Sequence, residues 1–89
     1  MLTLVPKTQF RKDVKKLPSA GLDFQKLVDV IRTLQEGKPL DAKHRDHALT
    51  GPWKAFRECH LQGDWLLIYQ KTETELILVR TGSHSALFG

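Results

Sequence analysis

Five consecutive apolar residues, Trp65-Leu66-Leu67-Ile68-Tyr69, constrain this chain more than any other feature. Turn signals bracket them, Gln62-Gly63-Asp64 before and Thr72-Glu73-Thr74 after. A short run that is apolar at both parities predicts a strand over 65–71 covered on both faces, hence a central strand. Neighbours joined to it by short turns pair with it antiparallel. Residues 55–61 supply one, with Phe56, Glu58 and His60 on one face and Arg57, Cys59 and Leu61 on the other. Residues 75–82 supply the second, ahead of a polar tail over 83–89.

The first half reads as a strand and two helices. Leu2-Thr3-Leu4-Val5 predicts a short strand ended by Pro6. Phe10, Val14 and Leu17 form one apolar stripe, which predicts a helix over 8–17, broken by Pro18, Ser19 and Gly21. Asp23 suits the N-cap of a second helix with Phe24, Leu27, Val28, Ile31 and Leu34 at helical spacing. Gly37 suits its end and Pro39 the exit. Residues 38–54 show no period, and long irregular segments in small domains are often functional. The order is β-α-α-β-β-β, an α+β fold with the helix pair packed on a small antiparallel sheet. The 89 residues have room for one core, so a single domain over 1–89 is expected, with Trp53 and Phe56 in that core.

Several classes drop out. The apolar run is far short of the roughly 18 residues a membrane span needs. Met1-Leu-Thr-Leu-Val before Pro6 is too short for a signal-peptide core, so a cytoplasmic protein with no membrane partner is expected. One cysteine, Cys59, rules out an internal disulfide and a cysteine-based zinc site, and its parity opposite His60 argues for burial rather than a nucleophilic role. The net charge of +4 is unevenly placed. Residues 1–45 carry ten Lys and Arg against five Asp and Glu, whereas residues 46–89 carry four against five. Lys7, Arg11 and Lys15, with Lys12 and Lys16 further round, put that excess on the exposed side of helix 8–17. Such a ridge serves solubility or holds a polyanion, nucleic acid first among candidates.

The three-stranded meander brings chemistry together. Strands 55–61 and 75–82 run the same way and end at the same edge, about 10 Å apart across the central strand. His60 sits at the first end, Asp64 in the adjoining loop, Arg80 near the second end and His84 just past it. Glu58 shares the face of His60. Three readings of this cluster stand side by side. In the first, the two imidazoles perform acid–base catalysis on a phosphodiester while Arg80 holds the phosphate and Asp64 orients a histidine. In the second, His44 and His47 join His60, Asp64 and His84 as metal ligands, although Arg80 would repel a cation. In the third, these are ordinary surface histidines. Phe88, in a polar tail, either caps the core or stacks on a base.

The residues also carry a resemblance. Asp46-His47-Ala48-Leu49, Gly51, Trp53-Lys54, Arg57 and His60, then Asp64-Trp65 and Leu67-Ile68-Tyr69, resemble the YafQ branch of the RelE toxin superfamily. The ending Arg80-Thr81-Gly82-Ser83-His84-Ser85 with Leu87-Phe88 is similar to the same branch, and Phe10, Lys12, Asp13, Lys15 and Leu17 fit its opening. The resemblance implies a RelE-like fold and a toxin of a bacterial type II toxin–antitoxin pair. It implies a ribosome-dependent endoribonuclease that cuts mRNA in the A site by attack of the 2′-hydroxyl, with no metal or other cofactor. It places the catalytic set at His47, His60, Asp64, Arg80 and His84, His47 coming from the resemblance alone. Proton transfer is assigned to His84 before any other residue, with His60 as its counterpart, and either can be the acid or the base, while His47 and Asp64 orient groups or stabilise charge. RNA contacts are expected from Glu58, Trp65 and Phe88, and from the ridge of Lys7, Arg11, Lys12, Lys15 and Lys16. Pro52 departs from relatives that carry a lysine or serine there. The implied partners are the ribosome, mRNA and a small acidic antitoxin whose C-terminal segment wraps the toxin. Operator DNA is met only through that complex. Fold does not fix function, so a non-catalytic binder and a ribonuclease that needs no ribosome are the alternatives.

Overall fold

The computed structural model describes residues 1–88; Gly89, the last residue of the expected domain, lies outside the described residues. Strand β1 is Thr3–Pro6, followed by helices α1 (Thr8–Lys15) and α2 (Phe24–Gln35). Strand β2 (His47–Ala48) leads into β3 (Arg57–Gln62), β4 (Trp65–Lys71) and β5 (Glu75–Ser83), and helix α3 (His84–Phe88) closes the chain. One five-stranded sheet results, in the order β1-β5-β4-β3-β2. The meander and the helix pair are as the sequence predicts. The sheet, however, is mixed rather than antiparallel, because β1 lies parallel to β5, Thr3 opposite Glu75. The alternation in a four-residue strand carries no information on direction.

Local chemistry sets the element ends. Helix α1 ends at Lys15, Leu17 keeps helical dihedrals, and Pro18, which has no N–H to continue the ladder, opens a 3-10 turn, Pro18–Ala20, closed by Gly21 at φ +74°. Asp23 caps α2 by accepting from the Gln25 N–H at 2.9 Å. Gly37, at φ +74°, ends that helix in the left-handed conformation glycine tolerates. Of the expected apolar face of α2, Leu27 and Leu34 are buried, while Phe24 stands 51% exposed.

All five residues from Trp65 to Tyr69 are buried, as a doubly covered central strand requires. Trp65, Leu67 and Tyr69 pack with Phe10, Leu17, Leu27 and Leu34 under the helices. Leu66 and Ile68 face the other way, beneath Glu58, His60 and Arg80 in neighbouring strands. Two bulges set what lies on that second face. On β5, Val79 is the extra residue between the Tyr69–Leu78 and Ile68–Arg80 pairs. An added residue reverses parity. Leu76 and Leu78 therefore face the helices, whereas Arg80 emerges opposite them and Thr81 takes the inner position. On β3, Leu61 is the extra residue just after His60.

Candidate active site

The site is built on the face of the sheet away from the helix pair. Its left wall comes from the segment read as irregular. Asp41 caps a 3-10 turn, Ala42–His44, and Arg45 then turns the chain at φ +46°, the only non-glycine left-handed residue among those described. The following His47 and Ala48 pair with Glu58 and Arg57. The His47 ring is held at both nitrogens: Nδ1 lies 2.6 Å from the Arg45 carbonyl and Nε2 lies 3.1 Å from Glu58 Oε2. A carbonyl only accepts, so Nδ1 carries the hydrogen.

Glu58 is the hub of this cluster. It is 7% exposed, and the His60 Nε2 lies 4.0 Å from the same carboxylate oxygen that meets His47. The His47 and His60 rings stack at 6.2 Å between centroids. Burial pushes the His60 pKa below its usual 6.5, and the positive charge of Arg45, followed by those of His47 and His84, acts in the same direction against the pull of Glu58. Geometry agrees, because Nδ1 of His60 is buried without a partner, and a charged ring would leave an N–H unsatisfied there. His60 is therefore held toward the neutral form in the folded chain.

This shift has a stability consequence. Between the lowered folded value and 6.5 the unfolded chain binds more protons at this position, so stability rises with pH through that window. We expect unfolding free energy to fall as pH drops below about 6.5. His60→Asn should flatten the slope between pH 7 and pH 5 in urea titrations; an unchanged slope would contradict the assignment. Asp13 acts lower on the scale. Burial opposes its ionisation, but hydrogen bonds from Arg80, Gln9 and the Thr81 amide hold its carboxyl below the ordinary 3.8, so its contribution is lost only in acid well below that window.

The right wall comes from the polar tail, which folds as α3. Ser83 starts the helix by accepting from the Ala86 N–H at 3.1 Å. The His84 amide donates to the Asp64 carbonyl at 3.0 Å, which fastens α3 to the β3–β4 hairpin. The exposed His84 ring packs on Phe88 at 5.1 Å, Phe88 meets Trp53 edge-on at 6.0 Å, and Trp53 meets Phe56 at 5.5 Å. A cleft of about 220 Å³ opens between this aromatic wall and Glu58, with Leu49 and Thr50 as its floor. Trp53 and Phe88 are 41% and 37% exposed there. Trp53 thus belongs to the cleft and not to the core expected for it, because it ends a 3-10 turn, Gly51–Trp53, outside the sheet.

The remaining candidates are distributed around this cleft. Arg80 is not open to the histidines: its Nε and Nη2 donate to Asp13 at 2.8 and 3.2 Å, which raises its pKa and leaves the other guanidinium N–H groups for a ligand. Asp13 also accepts from the Thr81 amide at 3.2 Å, supplying the partner that β1, ending at Pro6, does not reach. Asp13 was legible as an acid on the apolar stripe of α1, three residues from Phe10. Asp64 is exposed, and its carboxylate accepts no hydrogen bond among the described residues. Trp65 corrects the expectation of an RNA contact. It is 1% exposed in the core, with its indole N–H donating to Thr81 Oγ1 at 2.9 Å. Cys59 is fully buried, and burial first, then Asp46 and Glu58, push its thiol up to about 12, which leaves no nucleophile. His44 and His47 do not converge as metal ligands: the His44 Nδ1 goes to the His60 carbonyl at 2.7 Å.

The basic ridge divides. Lys7, Arg11, Lys12, Lys15 and Lys16 are all exposed and have no acidic partner within 4.0 Å among the described residues. Lys16 lies beside Arg80 at the foot of α3. Arg11 and Lys15 instead turn to a separate groove of about 490 Å³ between α1, α2 and β1. No helix is long and apolar enough to cross a membrane.

A small α+β domain with a histidine–carboxylate cleft on its open face matches a defined class of proteins. A family model described as "Bacterial toxin of type II toxin-antitoxin system, YafQ" matches residues 2–89. The chain belongs to this YafQ toxin family. It is 43% identical over 82 residues to the mRNA interferase toxin YafQ of Escherichia coli K12, covering 91% of this chain and 89% of that one. Its structure is similar to that of a copper-bound mutant toxin from Helicobacter pylori, with TM-score 0.94, 51% identity, and coverage of 99% and 100% of the two chains. It is also similar to the toxin in the E. coli DinJ–YafQ toxin–antitoxin complex, with TM-score 0.91, 39% identity, and 99% and 98% coverage.

Proposed function

We propose that this chain is an mRNA interferase, an endoribonuclease that cuts mRNA on the ribosome. The observation that carries the reading is Glu58, which meets His47 and His60 and lines the same cleft as the exposed His84 and the rings of Trp53 and Phe88. Cleavage by the 2′-hydroxyl needs a proton acceptor for that oxygen, a donor for the leaving 5′-oxygen and positive charge near the phosphorus. His60 takes the 2′ proton. The 2′-oxygen bonds to phosphorus, the bond to the 5′-oxygen breaks, and His84 protonates the departing oxygen. The products are a 2′,3′-cyclic phosphate and a 5′-hydroxyl, with no oxidant or cofactor in the balance. Arg80, oriented by Asp13, directs its remaining N–H groups to the phosphate. The Glu58–His47 pair fixes the field around His60, and Asp64, tied to His84 through the backbone, offers a carboxylate at the rim. Phe88 and Trp53 stack on a base, and Lys7, Lys12 and Lys16 hold flanking phosphates. An RNA carrying a single 2′-deoxynucleotide at the cut site tests the chemistry. Loss of cleavage at that site alone is expected; a cut there would exclude 2′-hydroxyl attack.

The partner reading is a small acidic antitoxin; the E. coli relative is itself solved in a toxin–antitoxin complex with DinJ. The surface that favours it is the groove between α1 and α2. Leu4, Phe24, Val28 and Ile31 line it, and Arg11, Lys15 and Arg32 rim it. Phe24 and Leu4 are two of the five large apolar residues that stand exposed, and both fall here. An amphipathic segment with acidic flanks complements that surface, and the groove shares no residue with the cleft. Phe24→Asp should weaken antitoxin binding at least tenfold, about 1.4 kcal/mol, and leave cleavage by the free toxin unchanged. Calorimetric titration with the antitoxin checks this; equal affinity would move the antitoxin elsewhere.

A further inference from the structure

The placement of His47 raises a physical problem. β2 has only two residues and lies at the sheet edge. No regular strand or α-helix holds the chain between Gln35 and this point. A ladder that short sets register weakly, and a slip of one residue would turn His47 to the wrong face. Something else must fix the register.

We infer that Tyr69 and Arg57, acting through Asp46, are positioning residues that hold His47 against Glu58 from the opposite face of the sheet. Tyr69 is 1% exposed on the rigid central strand, and its O–H donates to Asp46 Oδ1 at 2.5 Å. The Arg57 Nε–H is shared between the same Asp46 oxygen and the Tyr69 hydroxyl oxygen, 3.3 Å from each. Arg57 and Tyr69 are themselves cross-strand partners, so the triangle rests on two strands. Neighbouring residues in a strand point to opposite faces. Asp46 and Arg57 therefore meet on one face, diagonally across the register pair His47 and Glu58, which meets on the other. Locking the first pair fixes the phase of the second.

The turn at Arg45 completes the device. Its left-handed conformation aims the Arg45 carbonyl at the His47 ring, and just before it His44 pins the His60 carbonyl at the β3 bulge. Residues 44–47 thus contact both histidines of the stacked pair, while their anchor lies beneath the sheet. None of the three anchoring side chains lines the cleft.

The inference rests on the cleavage reading for its kinetic arm only. Tyr69→Phe removes the hydroxyl and keeps the packed ring. We expect the imidazole ¹⁵N signals of His47 to shift and broaden, and single-turnover cleavage on ribosomes to fall at least tenfold. The double variant Tyr69→Phe/His47→Ala should be no slower than His47→Ala alone, because Tyr69 acts through that ring. Unchanged His47 signals in Tyr69→Phe, or additive rate losses in the double variant, would overturn the assignment. A lowered melting temperature alone, with signals and rate intact, would reduce Tyr69 to a stability role and overturn it as well. If Tyr69→Phe does not fold, Asp46→Asn carries the same two readouts. If the unaltered chain cuts no RNA, the cleavage reading fails, and the His47 signals still decide the anchoring.

Discussion

Replacing His84 by alanine is expected to slow mRNA cleavage by about 10²- to 10⁴-fold, the range for one acid–base group. The size follows from what the side chain does and does not support. Its ring touches only Phe88 among the described aromatic contacts, and it stands exposed at the mouth of the cleft. The link that fastens α3 to the hairpin runs through the His84 backbone amide, which alanine retains. The variant should therefore melt within a few degrees of the parent and still bind RNA. Single-turnover rates at saturating ribosomes, with melting curves on the same preparations, separate chemistry from folding. A rate within threefold of the parent would remove His84 from proton transfer and leave His60 without a counterpart.

Trp65→Ala is expected to cost about 3–5 kcal/mol, the range for deleting a buried aromatic side chain. Thr81 Oγ1 would also lose the indole N–H that donates to it, while it continues to donate to the Leu66 carbonyl at 2.8 Å. Domains of this kind hold about 5–15 kcal/mol in total, so the variant should be largely unfolded near body temperature. Trp65→Phe leaves a smaller void and should retain most of the cleavage rate per folded molecule. Urea titration of both variants, with activity normalised to the folded fraction, checks the pair. A stable Trp65→Ala that binds RNA poorly would restore the tryptophan to the RNA surface and contradict its place in the core.

Trp65 marks the limit of what the sequence makes legible. Alternation told that residues 65–69 are covered on both faces, and that holds. It could not tell which face carries the helices and which the cleft. The resemblance put Trp65 at the site, while the structure puts it with Leu67 and Tyr69 beneath the helix pair. The parity of Glu58, His60 and Cys59 was readable because β3 is regular up to His60. Arg80 was not readable in the same way. The Val79 bulge changes its face, and its partner Asp13 comes from 67 residues away. Helix ends were plain because Asp23, Pro18 and Gly37 act locally. The parallel β1–β5 pairing, the two-residue β2 and the seat of Trp53 depend on contacts between distant segments, and no short-range pattern records them. The closing helix did leave a trace, since Ser83 is a good N-cap three residues before Ala86.

Cleavage of one defined mRNA by the purified chain in EDTA, free and on translating ribosomes, with the new ends mapped, decides whether the cleft is catalytic. Cuts are expected on ribosomes only, at one fixed codon phase, each leaving a 5′-hydroxyl. No cut in either setting, from a chain shown to be folded, would contradict that expectation and leave the cleft as a binding surface without catalysis.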